Sequence, residues 1–365
     1  LPADGDDVAS GLPLKTFDPS ERLDSFRKTV AYIHSHNAAA DQVDVLEALM
    51  EMFSFANTLV HGVSRIPHET AQERRKGGGD ALLQDLTEDK AGDSSSEAML
   101  VPDKQMSLAF REEAAKKVSE LAYNLLRDPK VFISEQALQV YVRIMCLLGK
   151  PEYLPEIFDM YAKKMIPDPK SSPVTYSAPW PRMPKYAIPH NLAEAALEAA
   201  ILKKNLGLAL AIIDTTVGAP AFRTNKILRR AGVPGLLVGG MPLVAYAGAD
   251  WVAHWQNTMD VELSKYTAIA GALAYIGTLS TIGFVAVTTW NDQMQRVVWR
   301  PGTALSSRWI REEERAFFDR LALAWGFQER YRWGEEHGQD WQTLRDECGM
   351  RDMILDKTEL MEGMQ

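Results

Sequence analysis

At 365 residues, with 46% apolar and 24% charged side chains, the chain has the composition of a globular protein and the length for one large domain or two ordinary ones. A mean hydropathy of −0.20 excludes a many-span transporter and leaves room for one or two spans. The net charge of −9 excludes a broadly basic, nucleic-acid-coating surface, though not a local basic site, and two distant cysteines exclude a disulfide scaffold or a cysteine-rich zinc centre.

The chain opens on LPADGDDVAS, with neither an initiator Met nor a signal sequence, and the expectation is a processed, imported protein. Residues 1–65 are expected to form an N-terminal helical hairpin. Leu23, Phe26, Val30 and Ile33 are spaced 3, 4 and 3 apart on one helical face, and Val45, Leu46, Leu49, Met50 and Phe53 make another beyond SHNAAAD. His34 and His36 read as solvated helix side chains. Residues 66–103 mix charge with Gly and Ser runs and lack an apolar period, which predicts a flexible insertion. Its RRKGGG lacks the Gly-Lys-Ser/Thr ending of a phosphate-binding loop and reads as a solvated basic turn.

Helices resume over 104–230. SLAFREEAAKKVSELAYNLLRD is amphipathic, and the Gly149-Lys150-Pro151 break separates ALQVYVRIMCLLGK from IFDMYAKKMIPDP. The first of this pair is expected to bury Ala137, Tyr141, Ile144 and Leu148, with Cys146 in the core. The second is expected to bury Leu154, Ile157, Phe158, Tyr161 and Met165. This pair resembles a pentatricopeptide or tetratricopeptide repeat over about 35 residues (134–168). A weaker copy, HNLAEAALEAAILKKNLGLALAIIDTTVG, aligns Leu202, Leu208 and Ile212 with Leu148, Leu154 and Phe158 at an offset of 54. The excess over the family's period is a Pro-rich arm, 166–190, expected to be extended. The resemblance implies protein or RNA binding. The polar residue that base-reading members carry early in the first helix is replaced by Ala137 or Leu138, leaving Asp168 as a lone terminal polar position. Protein binding is therefore the first expectation.

Residues 266–290 carry no charged side chain, and neither do 231–249. A 25-residue helix is about 37 Å long, enough to cross a hydrocarbon core of about 30 Å. Tyr266 and Trp290 bracket it as interfacial aromatics do. Thr267, Ala270, Ala274, Gly277 and Thr281 form a stripe of small residues suited to helix packing in lipid. Pro234, Pro242 and five glycines make 231–249 a poor regular helix, expected to be bent or re-entrant. Basic flanks (FRTNKILRR before, QRVVWRPG and RWIR after) and a net acidic connection place both outer ends on one side. A transmembrane hairpin over 231–290 is the expectation. A soluble core helix is the alternative, with Asp250 and His254 in its favour.

In 291–365 an amphipathic helix is expected to bury Ile310, Phe317, Leu321 and Ala324, and REEER (311–315) reads as an exposed charged face. GMRDMILDKTELMEGMQ reads as a further docking helix. Five of nine tryptophans lie at or beyond Trp299. Trp180, Trp309, Trp325 and Trp333 are candidate partner-binding residues. No catalytic, cofactor or metal motif is found, so a non-enzymatic role without cofactor is expected. The expected fold is all-α: an irregular helical-hairpin repeat domain, a transmembrane helical hairpin and a C-terminal helical segment. In style it resembles membrane-associated mitochondrial gene-expression factors. That resemblance implies the inner membrane, with the bulk facing the matrix, and a multi-protein complex, mitochondrial ribosome or RNA as partners. The alternative is a structural subunit or assembly factor of a respiratory membrane complex.

Overall fold

The computed structural model describes residues 19–35, 38–61, 108–168, 174–256, 258–288 and 294–356. The insertion expected over 66–103, His36 and Trp290 lie outside them. The described chain is mostly helical and falls into two compact units, the first with residues up to Lys150 and Ile166–Ser177, the second with Pro151–Met165 and the residues from Ala178 on.

The first unit holds α1 (Pro19–Ser35), α2 (Gln42–His61), α3 (Leu108–Arg127) and α4 (Glu135–Leu148). Each start has a local cause. Proline occupies the first position of α1, where its missing N–H costs no hydrogen bond. Asp41 accepts from the Val43 N–H at 3.1 Å, and Ser134 accepts from the Ala137 N–H at 3.1 Å. Gly149 closes α4 in the left-handed conformation (φ 61°), where a Cβ would be strained. Helix α2 lies against α1, α3 and α4, so it is apolar around most of its circumference. It buries Val45, Leu46 and Leu49 as predicted, with Met52 and Phe55 in place of the half-buried Met50 and Phe53, and Phe55 meets the edge of Phe26 at 5.5 Å. Each fully buried side chain of this size contributes about 1.5–3 kcal/mol. The two-residue strands β1 (Ile166–Pro167) and β2 (Tyr176–Ser177) pair antiparallel within the arm.

The second unit contains α5 (Leu154–Lys163), α6 (His190–Leu202), α7 (Leu206–Thr215) and α8 (Pro220–Lys226). A π-helical turn, Ile227–Ala231, carries α8 into α9 (Gly232–Trp255), and α10 (Val261–Thr288) follows. The remainder is β3 (Val297–Trp299), α11 (Leu305–Ile310), α12 (Glu312–Trp325), α13 (Gln339–Met350) and β4 (Met353–Leu355). Helix α7 packs on α5 and α6, and α12 covers α6 and α7. Strands β3 and β4 pair antiparallel, Val297 opposite Leu355.

Several expectations change. The helices α4 and α5 form where predicted but belong to different units, and Leu202 is 80% exposed, unlike Leu148. Met165 is exposed because α5 ends at Lys163 and the chain turns into the arm. Residues 353–355 form a strand, not a docking helix. Of residues 231–249, all but Ala231 belong to one continuous α-helix that runs through Pro242. The amphipathic C-terminal helix breaks at Arg311 into α11 and α12. Glu314 and Arg315 are buried, so REEER is no solvated face.

Candidate functional site: an apolar helical hairpin

Helices α9 and α10 pack against each other as a hairpin. Their candidate spans, Pro234–Trp255 and Val261–Ala286, have 22 and 26 residues and are apolar enough to cross a membrane. At 1.5 Å per residue they are about 33 and 39 Å long, against a hydrocarbon core of about 30 Å. Pro234 sits in the first turn of α9. The bent pair Leu206–Thr215 and Pro220–Ala231 also passes by composition. Its Leu206, Ala209, Ile212 and Ile213 are buried in the second unit, so it reads as core.

The seam of the hairpin is built from small residues. On α9, Ala249 and Ala253 are buried and Ala245 half-buried; on α10, Ser264 is buried and Ala268, Ala272, Ile276 and Ser280 are half-buried. Both rows repeat every four residues, which keeps them on one helix face and lets the backbones approach. Away from the seam the side chains are large, apolar and uncovered: Leu236 is 77% exposed, Leu243 76% and Ile282 60%. An apolar surface of this extent is unfavourable in water and requires lipid or a partner.

The closed end carries the polar groups. Lys265 on α10 donates to Asp250 at 2.6 Å and to the Tyr246 hydroxyl at 3.1 Å, and Tyr246 and Asp250 are one turn apart on α9. In the turn, Gln256 Oε1 accepts from the Thr258 and Met259 N–H groups, both at 3.0 Å. Trp251 and Trp255 are exposed and stacked at 6.0 Å, with Tyr246 and Tyr266 also exposed nearby in sequence. Amphipathic rings gathered at one end of an apolar span are what a membrane–water interface favours. Asp250 is therefore no argument for a soluble helix, because its charge is paired across the hairpin.

The open end is tied to the body of the second unit. Lys226 is buried and donates to the Trp309 carbonyl and to Glu313; Arg230 reaches Glu313 at 3.6 Å. Glu314 is shared by Arg223 (3.5 Å), Arg311 (2.9 Å) and Arg351 (3.2 Å). Burial pushes the Lys226 ammonium below its ordinary value, against the opposing pull of Glu313.

The predicted stripe Thr267, Ala270, Ala274, Gly277 and Thr281 is exposed throughout, and a Cβ added at Gly277 would meet nothing within 4 Å. The α9–α10 seam runs beside it. Among the tryptophans, Trp180 is exposed. Trp309 lies under Lys226, Trp325 under Lys204, and Trp333 under Arg296 and Arg330, all half-buried. Ala137 and Leu138 are buried in the first unit and cannot reach a base. His34 is half-buried and lies 3.5 Å from Asp128, rather than solvated. The sequence reading missed the Lys265–Asp250–Tyr246 clip, because its partners stand 15 and 19 positions apart on different helices. The linear signal was an acid, Asp250, at one end of a short net-acidic connection and a base, Lys265, at the other.

Comparison with protein-family models, curated proteins and solved structures gives no match for this chain.

Proposed function

We propose that this chain is a membrane-anchored helical adaptor. In this reading α9 and α10 cross the mitochondrial inner membrane as a hairpin, with both outer ends and the helical body on the matrix side. The body binds protein partners in a larger complex, with the mitochondrial ribosome or RNA among them, and supports gene expression at the site of membrane insertion. The observation that carries the anchoring is the apolar surface left uncovered on two helices of spanning length. The basic residues before α9 support the orientation, since Lys- and Arg-rich flanks are retained on the inner face of a membrane, which is the matrix side here. The matrix assignment follows the resemblance in style to organellar expression factors.

A second reading is a structural subunit or assembly factor of a respiratory membrane complex. The exposed stripe from Thr267 to Thr281 favours it, because a small-residue face left open by α9 suits another helix in lipid. Purification from membranes in mild detergent, with identification of bound protein and RNA, separates the two. Ribosomal proteins or RNA in the eluate support the first reading, and stable co-migration with a respiratory complex supports the second. A chain that elutes without any partner contradicts both.

A further inference from the structure

The segment that leads into α9 places four exposed side chains in succession: Ile227, Leu228, Arg229 and Arg230. Two are apolar, 43% and 60% exposed, and two are guanidinium groups. They lie on the π-helical turn, three residues before the candidate span begins at Pro234. The turn is held by Lys226, whose ammonium is fixed on Glu313 and the Trp309 carbonyl. The nearby carboxylates are already committed. Glu313 is shared by Lys226 and Arg230, and Glu314 by Arg223, Arg311 and Arg351. Arg229 has no ion-pair partner among the described residues, and the buried Nε atoms of Arg223 and Arg308 have no acceptor. The sequence supplies no acid between Arg223 and Asp250. The local surface is thus cationic at Arg229, and the two arginines stand between the uncovered apolar pair and the entrance of a spanning helix.

We propose that Ile227–Arg230 forms a binding surface for the headgroup phosphate of an anionic phospholipid, in the leaflet where α9 enters the bilayer. This rests on the membrane reading of α9 and α10. Arg229 and Arg230, on the membrane side of the aliphatic pair, meet phosphate oxygens, which guanidinium binds with paired N–H donors. A net anionic lipid is favoured over a zwitterionic one because Arg229 adds positive charge that no carboxylate among the described residues balances, beside the Arg230–Glu313 pair. A pi-helical turn widens the backbone and often marks a functional position, consistent with this use.

The test uses the full chain reconstituted into vesicles of equal parts phosphatidylcholine and phosphatidylglycerol, then extracted in mild detergent, with the retained lipids quantified. The wild type is expected to retain phosphatidylglycerol in excess of its share. Arg229→Gln with Arg230→Gln should reduce that excess by about fivefold per arginine, and raised salt should reduce it in the wild type. Arg229→Lys with Arg230→Lys should keep most of it, and Arg27→Gln with Lys28→Gln on α1 should leave it unchanged. Retention equal to the bilayer share, or an excess that survives the glutamine pair, overturns the proposal while leaving the membrane reading intact. A chain that alkaline carbonate strips from these vesicles overturns the membrane reading and the lipid site together.

Discussion

Arg296 is fully buried, and its guanidinium organises the C-terminal part of the second unit. It donates to Asp356 at 2.7 and 2.9 Å, pairs with Glu336 at 2.8 Å, and lies over the rings of Trp333 and Trp341. Its own N–H and those of Gln295 and Val297 all donate to the Asp319 carboxylate, which fixes the start of β3. Gly326 is required by close approach, since a Cβ there would collide with the Arg296 guanidinium and stand 2.9 Å from the Ala322 carbonyl. Replacing Arg296 by Leu strands two carboxylates in a buried site, so a loss of about 3–5 kcal/mol in urea unfolding is expected. A loss below ~1 kcal/mol would mean that the pair is solvated. Cys348 is also fully buried, and burial pushes its thiol up to about 12. The raised value keeps it protonated at neutral pH, and the thiolate is the reactive form. Maleimide at pH 7.5 should therefore modify half-buried Cys146 well before Cys348 in the folded protein. Equal rates with and without denaturant would contradict this burial.

At the scale of elements, the α9–α10 hairpin presents two small-residue rows with different duties. Ala249 and Ala253 line the seam with α10, whereas Ala274 and Gly277 face outward. Ala253→Leu forces extra methylenes into a closed contact and should lower hairpin stability by about 1–3 kcal/mol in detergent melts. Ala274→Leu with Gly277→Leu should leave those melts unchanged but loosen any complex seen by blue-native electrophoresis, while leucines at Thr278 and Val285 should not. Equal assembly of the two leucine pairs would remove the stripe from the contact surface. The lack of charge made α10 legible, while the prolines and glycines of α9 pointed to a bent segment; the period of apolar or small residues made α1, α3, α4 and α5 legible, because a helix face repeats within one stretch of chain. It also marked the stripe, though not which of two neighbouring rows closes the hairpin, since both consist of small residues. The β3–β4 pair was invisible for another reason: its strands have three residues each and lie more than fifty positions apart, too short for a period and too distant for a turn signal. REEER read as solvated because the cations that bury Glu314 come from Arg223 on α8 and Arg351 after α13.

At the scale of the whole chain, the two units assign the uncovered apolar hairpin to the second, where salt bridges from α8 and the π-helical turn fix its open end on α12. The first unit buries Phe26, Leu49, Met52, Phe55, Leu125 and Tyr141 in a four-helix core. A protein built this way has an extended surface that water penalises, and it lies on helices of bilayer length. Alkaline carbonate extraction of membranes containing the native protein tests that account most directly. The hairpin predicts that the chain stays in the pellet and leaves it only with detergent. Quantitative release into the carbonate supernatant would contradict it, and α9 and α10 would then have to be covered by a protein partner in water.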